Sequence, residues 1–305
     1  MGSPRLHRRV LALNRLLAHQ HEGPYNTDDP VLYLIMGSAA SAERAALQHR
    51  TWCRTARCAF VTDDHQAPYD ADMRLVHLGQ ASHPDVIAEL CCANATTTAE
   101  RTFFCSSHRH RTLPAQYRFL PALSWAKRQV ELGERTGGSF IQWVAIVDDD
   151  SFVFPRSLRQ VVSRHDASTP LHLGDFWPAE DGTPLYACGG GGAVFSRGAL
   201  ARLDLHACIR TMHRQCSQSD WMMGKCAREA GVRLVPEHGC TCVPWADTTE
   251  GHVRTALQRG ECSFLQFPNS PGSRGGPFKD LVSLLWNMTR SIGPPAIVHQ
   301  LDRLV

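Results

Sequence analysis

The stretch Trp143-Val144-Ala145-Ile146-Val147-Asp148-Asp149-Asp150-Ser151-Phe152-Val153-Phe154 is the strongest indication of how this chain folds. Its first five residues are apolar, and such a run bounded by polar residues predicts a strand that is buried on both faces. The carboxylates of Asp148, Asp149 and Asp150 repel one another at the end of this strand unless a cation compensates for their charge. Ligands of open α/β sheets bind at the carboxyl ends of the strands. The stretch therefore predicts an α/β domain with a site for Mn²⁺ or Mg²⁺, which substrate phosphates complete. An exposed acidic turn is the alternative, and the apolar residues on both sides disfavour it.

The composition indicates a globular chain that does not bind nucleic acid. The 305 residues are 43% hydrophobic and 20% charged, which suits one large or two closely packed domains. A net charge of +3 without a basic stripe argues against a nucleic-acid partner. The sequence contains no run of about 18 apolar residues, so it predicts no membrane-spanning helix. The basic segment 1–9 is followed by polar residues, so it does not resemble a signal peptide.

The cysteines indicate an oxidising compartment. An even count of 12 predicts several disulfides and a location in the Golgi or ER lumen or outside the cell. Two glycosylation sequons, at Asn94 and Asn287, agree with a secretory route. Structural zinc is the alternative, because His238, Cys240 and Cys242 lie close together, but regular CxxC pairs are absent from the sequence.

Strands and helices alternate over residues 31–235, which predicts a mostly parallel sheet flanked by helices. Besides the strand before Asp148, the sequence predicts strands at 31–36, 58–62, 73–78, 171–174, 193–196 and 232–235. It predicts helices at 5–20, 41–52, 157–165, 198–205, 219–230 and 278–289, and another through Leu120, Leu123, Ala126 and Val130 that ends near Gly133. We expect a stem or capping helix and loop over 1–30, the main domain over 31–245 and a loop-rich extension with one apolar helix over 246–305.

Two further features are candidates for a ligand site. The quartet Gly189-Gly190-Gly191-Gly192 does not have the spacing of a dinucleotide-binding GxGxxG motif. Contiguous glycines between apolar segments suggest backbone packed against a bulky group such as a ligand, with a flexible turn as the alternative. Asp220 lies near the start of a helix with one apolar face, where helix-terminus electrostatics alone would also explain it.

Taken in order, these motifs resemble the Fringe-like β-1,3-glycosyltransferases, a family that includes the core-1 galactosyltransferase relatives. The matching motifs are Thr51-Trp52, Val61-Thr62-Asp63, the three aspartates, the glycine quartet and Asp220 followed by Gly231-Val232. Either DDD or GGGG alone is a weak signal, but the ordered set is more specific and spans residues 31–240. The resemblance implies a single-domain A-type glycosyltransferase fold, with the catalytic domain over 31–245.

The resemblance also implies a donor site for a UDP-sugar whose diphosphate is held through Mn²⁺. Asp150 would ligate the metal, and Asp148 and Asp149 would face the ribose and the donor sugar. Asp63 would contact the nucleoside, and Arg44 is a further donor-site candidate.

The remaining roles concern the acceptor, a glycan or glycoprotein hydroxyl. The quartet Gly189, Gly190, Gly191 and Gly192 would line the donor sugar and the acceptor. Asp220 would remove a proton from the acceptor hydroxyl as it attacks the anomeric carbon. One displacement with one base predicts inversion at that carbon.

The chain departs from the family pattern in several respects, one of which is that GGAG has become GGGG at 189–192. The family has a second metal ligand, a histidine, where Thr241 stands here, and His238 or His252 is the candidate substitute. Family members carry cysteines at the positions of Ala145 and Val194, so we expect those positions to form an apolar contact between facing strands. Cys208, Cys216 and Cys226 suggest a different disulfide near the base.

Together these observations predict a lumenal, Mn²⁺-dependent, inverting UDP-sugar glycosyltransferase that forms a β-1,3 linkage. Such an enzyme normally has an N-terminal membrane anchor, and we expect it to be missing from this chain. Two alternatives stay open at this point. One is a catalytically inactive, disulfide-stapled relative that binds glycans or acts as a chaperone, and the other is a zinc-stabilised secreted module.

Overall fold

The structure is a computed structural model. It describes residues 29–37, 42–62, 69–77, 116–136, 140–149, 151–179, 181–187, 192–212, 219–237 and 264–266. The predicted helices at 5–20 and 278–289 lie outside these ranges. Within them, no helix combines the length and the apolar character needed to cross a bilayer.

A seven-stranded sheet forms the centre of the described fold. Its strands are β1 Val31–Met36, β2 Arg57–Thr62, β3 Leu75–His77, β4 Trp143–Asp148, β6 Leu171–Gly174, β9 Ala193–Ser196 and β10 Arg233–Pro236, in the order β10-β6-β9-β4-β1-β2-β3. Two short two-stranded sheets accompany it, formed by β5 Ser151–Val153 with β11 Phe264–Gln266, and by β7 Phe176–Pro178 with β8 Pro184–Ala187. The helices are α1 Ala42–Arg50, α2 Gln116–Thr136, α3 Pro155–Val162, α4 Arg197–Arg202, α5 Leu205–Met212 and α6 Ser219–Glu229.

The sheet is mixed but mostly parallel. β1 pairs in parallel with both β2 and β4, and the pairs β2–β3 and β6–β10 are also parallel. Only β9 runs the other way among the described strands of this sheet, between β4 and β6. The predicted parallel sheet is therefore confirmed with one antiparallel strand inserted. An apolar segment buried on both faces looks the same in either direction, so its sequence does not reveal its orientation.

The core lies on both faces of the sheet. On one face, β4 and β1 pack against α2, whose residues Leu120, Leu123, Ala126 and Val130 are all buried as predicted. On the other face, the opposite side chains of the same strands pack with α1 and α3. Alternate residues of β4 thus belong to different clusters, which confirms a strand buried on both faces. α2 continues through Gly133 to Thr136, past its predicted end.

Two predicted details of the core are confirmed. Ala145 of β4 lies directly opposite Val194 of β9, and both residues are fully buried. Two disulfides lie in the described part of the chain, Cys53–Cys58 and Cys208–Cys226, with Cα–Cα distances of 5.7 and 5.8 Å. The second one joins α5 to α6, the helix that carries Asp220.

The predicted helix over 198–205 is wrong in its extent. α4 ends at Arg202, Leu203 is extended, and the separate helix α5 begins at Leu205. Asp204 explains the break, because its side chain accepts a hydrogen bond of 2.8 Å from the backbone N–H of Ala207 and so caps the new helix. Likewise, the predicted helix 41–52 ends at Arg50, and a 3-10 turn, Trp52–Thr55, follows it.

Candidate functional site

The site is built on the edge of the sheet where β1, β2 and β4 end. β4 ends at Asp148, which lies opposite Met36 at the end of β1. β2 ends at the buried Thr62, whose hydroxyl lies 2.7 Å from that of Tyr69. Three parallel strands therefore direct the chain segments that follow them to one edge, as ligand sites in α/β folds require.

Asp149 is held in place by the helix that follows β1. Nη1 of Arg44 donates a hydrogen bond of 3.2 Å to Oδ1 of Asp149, and the two side chains are 30% and 14% exposed. One turn further along α1, Nε2 of Gln48 donates a 2.5 Å hydrogen bond to the backbone carbonyl of Asp149. Arg44 compensates for part of the negative charge of the aspartate cluster, and Gln48 fixes the backbone.

The structure thus brings together Arg44 and Asp149, two of the residues predicted for the donor site. Asp148 is half-buried at the end of the same strand. Gln48 was missed by the sequence analysis, since a glutamine in an amphipathic helix resembles any other polar residue. The one available signal was its spacing, because residues four apart lie on the same face of a helix.

Gly192, the last residue of the glycine quartet, lies near this edge on the other side of β4. Because β9 is antiparallel to β4, its first residue, Ala193, lies opposite Ile146, close to the end of β4. Gly192 precedes Ala193 and has φ of +75°, a conformation that residues with a Cβ rarely adopt. Gly192 is buried at the border of the site. Gly189, Gly190 and Gly191 lie outside the described residues.

Asp220 is the second residue of α6. Its Oδ1 accepts a hydrogen bond of 2.8 Å from the backbone N–H of Trp221. Tyr186 of β8 lies near it: burial raises the pKa of Tyr186, and the negative charge of Asp220 raises it further. α6 precedes β10 through a short turn, and β10 is parallel to β6. The start of α6 and Asp220 therefore face the edge where β6 ends.

The segment after β10 is anchored at the same edge. The backbone N–H of Glu237 donates a 3.0 Å hydrogen bond to the carbonyl of Gly174 at the end of β6. Oε1 of Glu237 lies 2.6 Å from Nε2 of His165. His238, the candidate second metal ligand, comes next in the chain but lies outside the described residues, as do Asp150 and Asp63.

Another group of potential metal ligands, His49, Asp70 and Asp72, lies at the opposite edge. Their ligand atoms lie within 4.8 Å of one another, in a cavity of about 370 Å³. Arg50 forms two hydrogen bonds with Asp70, and these hydrogen bonds lower the pKa of that carboxyl group. Arg50 already neutralises Asp70, and the cavity is lined by Arg54, Ala56 and the first half of β2. This cluster is therefore separate from the aspartates at the end of β4.

The sheet with its acidic edge defines an α/β protein with a candidate donor site at the carboxyl ends of its strands. Residues 39–238, well over half of the chain, match the family described as Fringe-like. The chain belongs to the Fringe-like family of glycosyltransferases. Its architecture is the GT-A-like α/β fold with a mostly parallel, mixed sheet.

Two curated relatives share a shorter segment with the chain. A β-1,3-glucosyltransferase from Mus musculus is 37% identical over 94 residues, which are 30% of this chain and 19% of that protein. The Homo sapiens β-1,3-glucosyltransferase is 34% identical over 92 residues, 30% of this chain and 18% of that protein. The chain therefore spans about a fifth of the length of these relatives.

Solved glycosyltransferase structures are similar at low identity. One is a glycosyltransferase involved in the glycosylation of the major capsid of PBCV-1, with 10% identity and a TM-score of 0.42 over 83% of this chain and 98% of that one. Another is the galactosyltransferase LgtC in complex with donor and acceptor sugar analogues, with 11% identity and a TM-score of 0.42 over 84% of this chain and 95% of that one.

Proposed function

We propose that this protein is a metal-dependent, inverting hexosyltransferase that moves a sugar from a UDP-sugar to a hydroxyl of a glycan or glycoprotein, with a β-1,3 linkage. The observation that carries the proposal is the arrangement at the end of β4, where Arg44 and Gln48 hold Asp149 beside Asp148. The name of the mouse and human relatives supports glucose as the sugar and the β-1,3 linkage.

The donor set at this edge fits a hard divalent ion and a diphosphate. Carboxylate oxygens are the ligands that Mn²⁺ and Mg²⁺ prefer, and substrate phosphates commonly complete their coordination. Asp150 would hold the metal, with His238 as the second candidate ligand. When bound, the metal would neutralise the charge that develops on the departing diphosphate. Asp148 would face the ribose, Asp149 the donor sugar and Asp63 the nucleoside.

The transfer itself needs a base and an open path to the anomeric carbon. In the proposed mechanism, Asp220 accepts the proton of the acceptor hydroxyl, whose oxygen forms the new bond to the anomeric carbon. The bond from that carbon to the phosphate oxygen breaks, and UDP leaves with the electron pair. Arg44 holds Asp149 in place during the reaction, and the glycines at 189–192 leave room beside the sugar. Attack opposite the leaving group inverts the configuration.

The first test is the release of UDP from a panel of UDP-sugars, with Mn²⁺ and then with EDTA. We expect slow, Mn²⁺-dependent hydrolysis with UDP-glucose as the preferred donor. Asp150→Ala should abolish this turnover while the protein stays folded, because a carboxylate that binds a metal does not contribute to the apolar core. Wild-type turnover in this variant would contradict the metal assignment. If no donor is hydrolysed and UDP–Mn²⁺ does not bind in a titration, the inactive glycan-binding relative is the better description.

The compartment belongs to the same proposal. The disulfides Cys53–Cys58 and Cys208–Cys226 require an oxidising environment, and family members work in the Golgi or ER lumen. We place the protein there or outside the cell, where UDP-sugars and glycoprotein acceptors of the secretory route are its partners.

A further inference from the structure

A groove lies between α6 and β8, on the side of the helix that is not buried in the core. It is lined by Leu185, Trp221, Lys225, Arg228 and Glu229 and has a volume of about 470 Å³. This volume lies within the roughly 300–1,000 Å³ that is typical of small-molecule sites. The four lining residues of α6 lie at helical spacing on one face. The opposite face of the helix is buried in the core through Met222, Met223, Cys226 and Ala227.

The groove begins one residue after the proposed base. Trp221 follows Asp220 directly in the chain, and its backbone N–H donates to the Asp220 carboxylate. The other end lies near the turn between β7 and β8, which contains Asp181. Hydrogen bonds from Thr183 lower the pKa of Asp181, and the nearby charge of Arg228, a residue of the groove, lowers it further. A molecule that contacts Trp221 in the groove would therefore lie beside the residue that carries the proposed base.

Trp221 gives the groove an aromatic wall. Part of its indole packs against the core, and Nζ of Lys225 lies 5.2 Å from the ring centroid. A cation over the ring shows that this face is turned away from the core. Lys225 also lies 3.9 Å from the carboxylate of Glu229, one turn further along the helix, so charged groups border the indole.

Sugar rings present an apolar face of C–H groups and a rim of hydroxyls. An indole packs against such a face, while charged side chains accept and donate hydrogen bonds at the rim. The groove combines one aromatic and one aliphatic wall with Lys225, Arg228 and Glu229, and a few polar groups in a partly apolar cleft are typical of ligand sites.

We propose that this groove is the acceptor subsite, in which a glycoside stacks on Trp221 and presents its reacting hydroxyl to Asp220. Trp221 is then a residue that determines acceptor specificity. The inference rests on the proposed function, because that function gives Asp220 its role as the base. It goes further by naming where the acceptor binds and the chemistry that recognises it, an apolar ring face with a polar rim.

The experiment measures the binding of a panel of p-nitrophenyl glycosides by calorimetry, in the presence of UDP and Mn²⁺. Trp221→Leu keeps the apolar packing on the core but removes the aromatic face. We expect it to raise the Kd of the glycosides that bind by about tenfold, which corresponds to about 1.4 kcal/mol. Trp221→Phe should restore Kd to within about threefold of the wild type, since it returns an aromatic ring. UDP–Mn²⁺ binding serves as the check that each variant is folded.

Trp177→Ala is the matched control. Trp177 is 57% exposed on β7, outside the groove, so its removal should leave both glycoside binding and UDP release unchanged. Unchanged glycoside binding in Trp221→Leu, an equal loss in Trp177→Ala, or no saturable binding by any glycoside would overturn the inference. UDP release would still support the proposed function in each of these cases. Conversely, glycoside binding that depends on Trp221, without UDP release from any donor, would contradict the proposed function. The groove would then be a glycan-binding site.

Discussion

Asp149 illustrates how single side chains prepare this site. Three adjacent carboxylates at the end of a strand are unfavourable in the absence of a cation, and α1 supplies part of the compensation through Arg44. The contact crosses 105 positions of the sequence. It depends on the parallel pairing of β1 and β4, which brings α1 beside the end of β4.

Arg44→Ala should weaken donor binding. It removes the hydrogen bond that orients Asp149 and a positive charge close to the proposed diphosphate site. We expect the Kd of UDP–Mn²⁺ to rise about tenfold, because a hydrogen bond between charged groups is worth about 1.5–3 kcal/mol and part of this is lost to solvent at a half-exposed site. Arg54→Ala, at an exposed arginine on the opposite edge, is the control and should bind UDP–Mn²⁺ normally. Equal affinities in both variants and the wild type would remove Arg44 from the donor site.

Asp220→Asn should separate binding from chemistry. The amide has nearly the same shape but does not accept a proton, so UDP–Mn²⁺ binding should survive while transfer falls by about two to four orders of magnitude. Asp181→Asn, at an exposed carboxylate near the other end of the groove, serves as a control for the loss of one negative charge. If Asp220→Asn lost nucleotide binding instead, Asp220 would belong to the donor site.

At the scale of elements, the position of Asp220 depends on how α6 is fixed. The helix rests on β8 through Gly224, where a Cβ would lie 2.5 Å from Cβ of Tyr186 and 2.6 Å from the carbonyl oxygen of Leu185. The disulfide Cys208–Cys226 ties the same helix to α5. Two independent contacts therefore hold the helix that presents the proposed base.

Gly224→Ala is expected to destabilise the fold, although alanine is the better helix former by about 1 kcal/mol. The new methyl group collides with backbone and Cβ atoms that have no freedom to rotate away, so α6 has to move off β8. Such overpacking typically costs about 1–3 kcal/mol. Urea unfolding measures the change, and Lys225→Ala on the outer face should stay within about 0.5 kcal/mol of the wild type. A Gly224→Ala variant as stable as the wild type would show that the packing relaxes freely.

At the scale of the whole molecule, His172 links stability to pH. It is fully buried in β6, its ring is stacked on Phe195 at a centroid distance of 4.1 Å, and Phe176 lies edge-on at 5.1 Å. Neither ring nitrogen has a hydrogen-bond partner among the described residues. Burial lowers the pKa of His172 to about 3. The folded state therefore keeps this imidazole neutral.

The sign of the pH effect follows from the two states. Below a pH of about 6.5, His172 becomes protonated in the unfolded chain but stays neutral in the folded chain. The contribution of the neutral His172 to the free energy of unfolding is therefore fully present above pH 6.5 and is lost progressively towards pH 3. Between these pH values the free energy of unfolding falls by about 1.4 kcal/mol per pH unit. At pH 5 the loss of stability from this group is about 2 kcal/mol. His172→Phe should remove this slope, as the difference between urea unfolding at pH 7 and pH 5 will show. An unchanged pH dependence in the variant would assign the acid sensitivity to other groups.

The main sheet could largely be predicted from the sequence, because its strands are long or strongly apolar. β1 and β9 have the predicted bounds, and β4 differs only by including Asp148. The β7–β8 hairpin was not predicted, since it is short and interrupted by Pro178. β11 was also missed, because its partner β5 lies more than 100 positions earlier and no local pattern of residues encodes such a pairing.

The site was predicted less completely than the sheet. The resemblance named Arg44 and Asp149, and the structure brings them together, whereas Gln48 gave no signal. The groove beside Trp221 arises from the packing of α6 on β8. The sequence of either element alone does not predict how the two pack together. The structure does not test the role of any candidate in the reaction, and these roles stay predictions for Arg44, Asp63, Asp148, Asp149, Asp150, Asp220, His238 and the glycine quartet.

The place of β4 in the sheet has a consequence for how the protein is assembled. β1, β2 and β3 lie on one side of it, and β9, β6 and β10 lie on the other, so β4 is the seam between an earlier and a later half of the described chain. Its amide protons should be among the last to exchange with deuterium, because only global unfolding frees both of its edges. A nascent chain that stops before β9 would leave this strand as an apolar, unpaired edge that is prone to aggregate. The aspartates of β4 and the proposed base Asp220 on α6 come together only after the two halves have joined. Sugar transfer, which needs both, would therefore report complete synthesis and folding of the sheet.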